Sequence, residues 1–302
     1  MRFKLTLQYE SALNHSKRTS VPLDYQFGLS SFIYKTLFTG DNTFALWLHD
    51  KGYDFDKHKY KLFTFSHLKL EAESYRTDKD IMYLNGSYAT LYISFLTREA
   101  IEPFIIGLFR EQSFFLGYIP HKTIFKVINI EKLQEHEFKE TMSFITTSPL
   151  VVSSMRLREG KNPIASYLSP RNEEFSHFFF KNLIRKHNAW CQHEDLPLFS
   201  GTSDGFTLQI LSPEKMKSCM FKKGSEKQSK VIGYEFRFGL NAPVELIKTG
   251  YYAGFGEKNS MGFGCVEIKR QLNNLLAPGE AGIDSVEKNK KYKQNETNLQ
   301  ND

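Results

Sequence analysis

The stretch that decides the fold is Tyr251–Ile268, YYAGFGEKNSMGFGCVEI. It holds four closely spaced glycines: Gly254, Gly256, Gly262 and Gly264. Because glycine has no Cβ, such a loop lets backbone N–H groups approach a phosphate closely. Two familiar phosphate-binding loops do not fit. Asn259 stands where a dinucleotide-binding loop requires its third glycine, and no register matches the nucleotide P-loop.

An RNA-recognition signature lies closer to this stretch. It matches Met261–Ile268 at Gly262, Phe263, Gly264 and Val266, but it expects a basic residue at Met261 and aromatic residues at Cys265 and Ile268. The loss of stacking rings weakens the usual sheet-face mode of RNA binding. Two interpretations therefore stay open from the loop alone: a loop that approaches RNA, or a tight turn that leads into a buried strand.

Composition limits the class of protein. The chain has 302 residues, 40% of them hydrophobic, with 27 Phe and 15 Tyr, which predicts two domains with sizeable cores. A net charge of +6 permits a polyanionic partner without requiring one. The three cysteines form no C-x-x-C pair, so we expect no disulfide framework, no metal site and no cofactor. The N-terminal residues alternate as a strand does, and no apolar run could span a membrane. We therefore expect no signal peptide, no membrane partner and a cytoplasmic location.

The order of predicted elements indicates the fold. Strand, helix, strand, strand, helix and strand follow one another, which is the ferredoxin-like plan, and this order then repeats. Within the first copy, Asn85-Gly86 predicts a hairpin between the strands on either side of it. The sequence thus predicts an α+β protein of two tandem ferredoxin-like (RRM-like) domains, residues 1–135 and 140–270. Residues 276–302 have almost no large apolar side chains and predict a disordered tail.

Several stretches together resemble the CRISPR-associated endoribonucleases that process repeat RNA, members of the repeat-associated RNA-binding superfamily. They include LDYQFGLSSFIYKTL, LWLHDKGY, SPLVVSS, FKNLIRKHN and VIGYEFRFGLNAPVELIKTGYYAGFGEKNSMGFGCVEI. The resemblance implies an endoribonuclease whose partner is precursor CRISPR RNA, with other CRISPR effector subunits as further partners. It implies cleavage without metal, by attack of the 2′-hydroxyl on the adjacent phosphorus. The products would be guide RNAs with 2′,3′-cyclic phosphate and 5′-hydroxyl ends.

The resemblance also implies catalytic residues. His49 in LWLHDKGY and Tyr34 in SFIYKTLF match the histidine and tyrosine of the family. The lysine of the family has two candidates here, and we favour Lys57 over Lys51. Histidines suit proton transfer because their ordinary pKa lies near neutrality. The alternatives are a His49 that only stabilises a helix end and a Tyr34 that only fills the core.

Clustered cations are the candidates for RNA contact, because phosphate neutralisation dominates nucleic-acid affinity. The main group lies in KMKSCMFKKGSEKQSK: Lys215, Lys217, Lys222, Lys223, Lys227 and Lys230. A second group comprises Lys17, Arg18, Arg156 and Arg158. The alternative for every one of them is a solvated surface position.

Two other functions remain compatible with the same resemblance. One is a non-catalytic protein that binds repeat RNA, and the other is a backbone subunit of a CRISPR effector complex. His49 and Tyr34 at matching positions favour the enzyme, while the unmatched lysine argues against it.

Overall fold

The computed structural model describes residues 1–11, 19–71, 73–158, 161–221, 226 and 228–269, and the side chains of residues 11, 157, 158 and 161–163 fall outside this description. The predicted tail, residues 276–302, also lies outside the described residues. No helix among the described residues is long and apolar enough to cross a membrane.

The N-terminal half forms the first lobe. Its strands are β1 (Arg2–Ser11), β2 (Ser20–Pro22), β3 (Tyr53–Phe55), β4 (His58–Tyr60), β5 (Phe63–Phe65), β6 (Tyr75–Asp78), β7 (Ile81–Leu84), β8 (Tyr88–Phe95), β9 (Ser113–Tyr118) and β10 (His121–Lys132). Its helices are α1 (Gln26–Gly40), α2 (Asn42–Asp50) and α3 (Ile101–Arg110). The main sheet runs β5-β8-β1-β10-β9, with all neighbours antiparallel. Its first four strands therefore lie in the order second, third, first, fourth of a ferredoxin-like unit.

The C-terminal half repeats this arrangement. Its strands are β11 (Thr141–Thr146), β12 (Ser153–Arg158), β13 (Lys161–Tyr167), β14 (Thr207–Ile210), β15 (Lys215–Phe221), β16 (Ser229–Glu235), β17 (Arg237–Asn241) and β18 (Val266–Lys269). Its helices are α4 (Phe175–His193) and α5 (Val244–Ala253), with a 3-10 turn at Asn259–Met261. The sheet order β14-β17-β11-β18 is again second, third, first, fourth. The predicted fold, two tandem ferredoxin-like units, is confirmed.

Residue periodicity explains both cores. Along β1, alternate residues from Phe3 to Tyr9 are buried because successive strand side chains point to opposite faces. On α4, Phe175, Phe179 and Leu183 recur at four-residue spacing and are fully buried. The Phe175 ring lies near Phe236, which precedes β17, and the Phe179 ring lies near Phe238 of β17 in the second sheet. The amphipathic helix therefore closes the second core.

The hairpin predicted around Asn85-Gly86 is wrong. β7 pairs with β2 and β6, whereas β8 pairs with β1 and β5 and so has both edges occupied. The backbone N–H groups of Asn85 and Gly86 donate instead to the Ser74 carbonyl, at 2.7 and 3.3 Å. Burial of Leu91 and Ile93 of β8 in the main core decides this choice of partners.

Candidate active site

The glycine-rich loop, residues 254–264, connects α5 to β18 and packs against both lobes. Its four glycines all have positive φ angles. On the first lobe, Thr64 Oγ1 donates to the Phe263 carbonyl at 3.0 Å, and Ser30 Oγ donates to the Ser260 carbonyl at 2.7 Å. The loop thus brings residues of the second lobe against α1 and β5.

Glycine is required at all four of these positions by contact as well as by φ, as Gly262 and Gly264 show. A Cβ on Gly262 would lie 2.6 Å from the Phe65 ring, and one on Gly264 would lie 1.9 Å from the Phe255 carbonyl oxygen. Real Cβ atoms do not come so close to other heavy atoms, so a side chain here would push the loop away from its neighbours. The loop is therefore a packing element at the junction of the two lobes.

The rings of His49 and Tyr34 meet beside this loop. Their centroids lie 5.5 Å apart in an edge-on arrangement. His49 occupies the last turn of α2 and keeps 69% of its side chain exposed. Tyr34 lies on α1, half-buried against Phe63. The structure therefore brings together two of the three catalytic residues that the sequence predicts.

Asp50 orients the His49 ring. His49 Nδ1 lies 2.8 Å from Asp50 Oδ1, and this hydrogen bond lowers the pKa of the Asp50 carboxyl. A carboxylate at Nδ1 favours the proton on that nitrogen, which leaves Nε2 as the atom that can exchange a proton with a substrate.

Burial gives Tyr34 a distinct chemistry. It raises the pKa of Tyr34 to about 12, against the smaller opposite effect of a side-chain hydrogen bond with Ser260. A phenol with so high a pKa keeps its proton near neutrality. Tyr34 is therefore a neutral hydrogen-bond donor at this site.

Lys57 does not reach this pair in the structure, where Lys61 and Lys59 approach it instead. Lys57 is exposed in the turn between β3 and β4, with a φ of 63°. Lys61 Nζ donates to the carbonyl oxygens of Leu48 and His49, the latter at 2.7 Å, and Lys59 Nζ donates to the Asp50 carbonyl at 3.2 Å. Both lysines thus lie at the negative end of the α2 dipole. Burial lowers the pKa of Lys61.

A basic groove of about 690 Å³ lies beside this site, and its lining includes Phe63, which contacts Tyr34, and Lys61, which contacts the His49 carbonyl. Cations dominate its lining: Lys59, Lys61, Lys181, Arg185, Lys186 and Lys258. Its carboxylate, Glu257, accepts from the backbone N–H and the hydroxyl of Ser153, at 2.8 Å each. Arg185 forms an ion pair with Asp56 across the two lobes. We call Lys59 and Lys181, both exposed, the groove lysines.

The cations predicted from sequence fall elsewhere or outside the description. Lys215, Lys217 and Lys230 lie on the β15–β16 hairpin, and Lys217 Nζ is 3.6 Å from Glu235. We call these three the hairpin lysines. Arg156 is exposed on β12. Several candidates are not among the described residues or side chains: Lys17, Arg18, Arg158, Lys222, Lys223 and Lys227.

A second cavity, of about 760 Å³, surrounds His67. His67 Nε2 lies 2.7 Å from Gln26 Nε2, and Nδ1 lies 3.6 Å from Glu235. Burial lowers the pKa of His67 to about 4, and Lys217 acts in the same direction. This histidine is therefore neutral near pH 7. Among the described residues, no group of three or more His, Cys, Asp or Glu side chains is placed to hold a metal ion.

Comparison with known proteins identifies the family. The sequence profiles described as "CRISPR-associated protein Cas6, N-terminal" and "CRISPR associated protein Cas6, C-terminal" match residues 20–131 and 133–268. The "CRISPR-associated endoribonuclease Cas6 1" of Methanocaldococcus jannaschii is 30% identical over 285 residues, which cover 91% of this chain and 97% of that protein. The chain belongs to the Cas6 family.

Two further Cas6 comparisons agree with this assignment. The "CRISPR-associated endoribonuclease Cas6" of Pyrococcus furiosus is 27% identical over 271 residues, 89% of this chain and 90% of that protein. A solved structure titled "Characterization of a Cas6-related gene from Pyrococcus furiosus" shares the fold, with a TM-score of 0.70, 24% identity and coverage of 90% of this chain and 99% of that one. The resemblance to CRISPR-associated endoribonucleases expected from the sequence is confirmed.

Proposed function

We propose that this Cas6-family protein is an endoribonuclease that cleaves CRISPR repeat RNA by attack of the 2′-hydroxyl on the adjacent phosphorus. The observation that carries the proposal is the His49–Tyr34 pair, whose ring centroids lie 5.5 Å apart beside residues that line the basic groove. The names of the M. jannaschii and P. furiosus relatives support the same activity. The products are a 2′,3′-cyclic phosphate and a 5′-hydroxyl, the ends of a guide RNA and its neighbour.

His49 transfers the proton in this proposal. The reaction requires that the 2′-hydroxyl lose a proton and that the 5′ oxygen gain one, and a histidine can do either near neutrality. Nε2 is the available atom because Nδ1 is held by Asp50. The exposure of the ring leaves room for a bound nucleotide.

Tyr34 and a lysine stabilise the charge that develops on the phosphate. The buried phenol keeps its proton and can donate it in a hydrogen bond to a phosphate oxygen. We assign the cationic role to Lys61 ahead of Lys57, because Lys61 reaches the end of α2 that carries His49. A cation beside the pentavalent phosphorus favours the transition state more than the ground state.

The groove lysines, Lys59 and Lys181, would contact the RNA backbone on one side of the cut. Their charge is not balanced within the groove, because its lining holds six lysine and arginine side chains and one carboxylate, Glu257. The hairpin lysines line or flank the separate cavity around His67 and are the candidates for a second RNA contact. We also infer a cytoplasmic location, since the three cysteines are buried and unpaired, as in a reducing compartment.

The test is incubation of the protein with labelled repeat RNA in EDTA. The parent should cut the RNA and leave a cyclic phosphate. His49→Ala should cleave at least about a hundredfold more slowly while RNA affinity stays within a few-fold, since positioned proton transfer contributes about 10²–10⁴-fold. A 2′-deoxy substitution at the nucleotide 5′ of the cut should abolish cleavage in the same way, because it removes the nucleophile.

His177→Ala is the matched control, since His177 is an exposed histidine on α4 away from the pair. It should cleave as the parent does. A His49→Ala variant with the parental rate would move the chemistry to another residue, with His58 and His15 next to test. A parent that binds repeat RNA and never cuts it would establish the non-catalytic binder or effector subunit. A requirement for magnesium would refute the mechanism.

A further inference from the structure

The glycine-rich loop surrounds the ammonium group of Lys186, a residue of α4. Lys186 is 2% exposed, although its neighbour on the helix, Arg185, reaches the groove. Its ammonium donates to the carbonyl oxygens of Gly254 and Gly256, at 2.5 and 2.8 Å, and to Asn259 Oδ1 at 2.6 Å. Lysine carries three N–H donors, and each of them has an acceptor from the loop.

Asn259 continues this network through the rest of the loop. Its Nδ2 donates to the carbonyl oxygens of Phe255 and Phe263, at 3.0 Å each. One ammonium and one amide thus hold four backbone carbonyls of the loop in a fixed arrangement. The loop conformation is therefore specified by polar contacts as well as by its glycines.

The next residue connects this network to the helix that carries Tyr34. The Ser260 carbonyl accepts from Ser30 Oγ at 2.7 Å, and Ser30 lies one turn before Tyr34 on α1. Tyr34 in turn has its ring against His49. A path of direct contacts thus runs from Lys186 through Asn259 and Ser260 to Ser30, on the helix that carries Tyr34.

A buried ammonium is a costly way to fill a core position. Burial lowers the pKa of Lys186 to about 7, only partly opposed by Glu257. Lysine is among the residues that are almost never fully buried unless paired, and an apolar side chain would fill the same helix position without that cost. The acceptors explain its presence, because an apolar replacement would leave three oxygens without a donor.

We propose that Lys186 is a positioning residue for RNA cleavage, which fixes the glycine-rich loop so that the Ser260 carbonyl, through Ser30, holds α1 and its Tyr34 beside His49. The proposal rests on the proposed function and assigns Lys186 no contact with RNA. Lys186 acts through the position of Tyr34, so its replacement should lower the rate of the cleavage step and leave RNA binding nearly unchanged.

The experiment is a double-mutant cycle on single-turnover cleavage at saturating repeat RNA, with the parent, Lys186→Met, Tyr34→Phe and the combination. Lys186→Met preserves the length of the side chain and removes its donors. We expect Lys186→Met to lower the cleavage rate at least about tenfold and to change RNA affinity less than about threefold. In the Tyr34→Phe background the same change should lower the rate by less than about threefold, because the hydroxyl that it positions is already gone.

Lys35→Met is the matched control. Lys35 is an exposed lysine that pairs with Glu111, and its replacement should leave both rate and affinity unchanged. Equal rate losses from Lys186→Met in the two backgrounds would overturn the proposal, since a merely structural lysine would act independently of the phenol. A loss of affinity as large as the loss of rate would overturn it too.

Ser30→Ala tests the path even if Lys186→Met does not fold, because it removes the hydrogen bond to the Ser260 carbonyl and leaves the ammonium in place. It should lower the cleavage rate at parental RNA affinity. A Ser30→Ala variant with the parental rate would overturn the proposal while leaving the proposed function intact. A parent that binds repeat RNA without cutting it would overturn both.

Discussion

Gly264→Ala should destabilise the protein severely, for two separable reasons. The first is conformational: Gly264 has a φ of 71°, and a left-handed backbone costs an alanine about 1 kcal/mol. The second is contact: the new Cβ would lie 1.9 Å from the Phe255 carbonyl oxygen and 2.7 Å from Asn259 Nδ2. The backbone carbonyl cannot rotate away as a flexible side chain would.

Relief of this contact requires the loss of hydrogen bonds inside the loop. The Phe255 N–H donates to the Gly264 carbonyl at 2.9 Å, and Asn259 Nδ2 donates to the Phe255 and Phe263 carbonyls at 3.0 Å. Each buried bond contributes about 1 kcal/mol. The loss of two of them, added to the conformational cost, predicts a decrease of about 3 kcal/mol in the free energy of unfolding.

Gly205→Ala separates the two terms. Gly205 has a φ of 81°, and a Cβ there would meet no atom within 4 Å, so only the conformational cost of about 1 kcal/mol applies. Urea unfolding can be followed by the fluorescence of Trp47 and Trp190, both packed against the first core. Equal losses of unfolding free energy in the two variants would refute the contact argument. So would a Gly264→Ala variant that unfolds at the parental urea concentration.

Three other predictions concern charge. In single-turnover assays at saturating RNA, Lys61→Met should lower the cleavage rate at least about tenfold, whereas Lys57→Met should leave it unchanged. The reverse result would assign the cationic role to Lys57. Alanine at both groove lysines should reduce the salt dependence of RNA affinity by about one unit of slope for each lost phosphate contact, and an unchanged slope would place them in bulk solvent. Finally, the pKa of His67 is lowered to about 4 in the folded protein. Between pH 6.5 and pH 4 the unfolded chain therefore binds more protons at this residue than the folded protein does, and the free energy of unfolding decreases as the pH is lowered. From pH 7 to pH 5 protonation of His67 should lower the free energy of unfolding by about 1–2 kcal/mol, after allowance for the partial exposure of the side chain. The free energy of unfolding of His67→Gln, measured in urea, should decrease by correspondingly less over the same pH range.

Local periodicity predicted the strands and helices well, whereas the choice of strand partners depended on distant residues. The alternation along β1 and the four-residue spacing on α4 are properties of short segments, and both elements form as predicted. The Asn85-Gly86 turn failed as a hairpin signal because the partners of β8 are decided by burial of its apolar face between β1 and β5. A turn motif carries no information about that competition.

The residues of the candidate site also fall into two groups: those that the sequence indicates and those whose placement depends on the fold. His49 and Tyr34 were found through the family resemblance, and no local pattern would have paired two residues on successive helices. The sequence did not indicate Lys61, to which we assign the cationic role, because this residue reaches α2 only after the β3–β4 hairpin folds back. That path depends on Gly52, where a Cβ would lie 2.5 Å from the Tyr60 carbonyl oxygen. The sequence does contain a signal for Lys186. It follows Leu183 by three residues and Phe179 by seven, which places a lysine on the buried face of α4.

The proposed site is assembled from both lobes, so substitutions that weaken the junction between the lobes should affect it. His49 and Tyr34 belong to the first lobe, whereas Ser260 and Lys186 belong to the second. The junction is also held by groups outside the proposed site, such as the buried guanidinium of Arg2, which donates to the Val266 carbonyl at 2.6 Å. Each lobe carries its own cations, so a small shift between them would leave phosphate attraction nearly intact. It would, however, change the hydrogen bond between the Ser260 carbonyl and Ser30, on the helix that carries Tyr34, because hydrogen bonds weaken steeply with distance and angle. Weakening of the junction should therefore reduce the cleavage rate before it reduces RNA affinity.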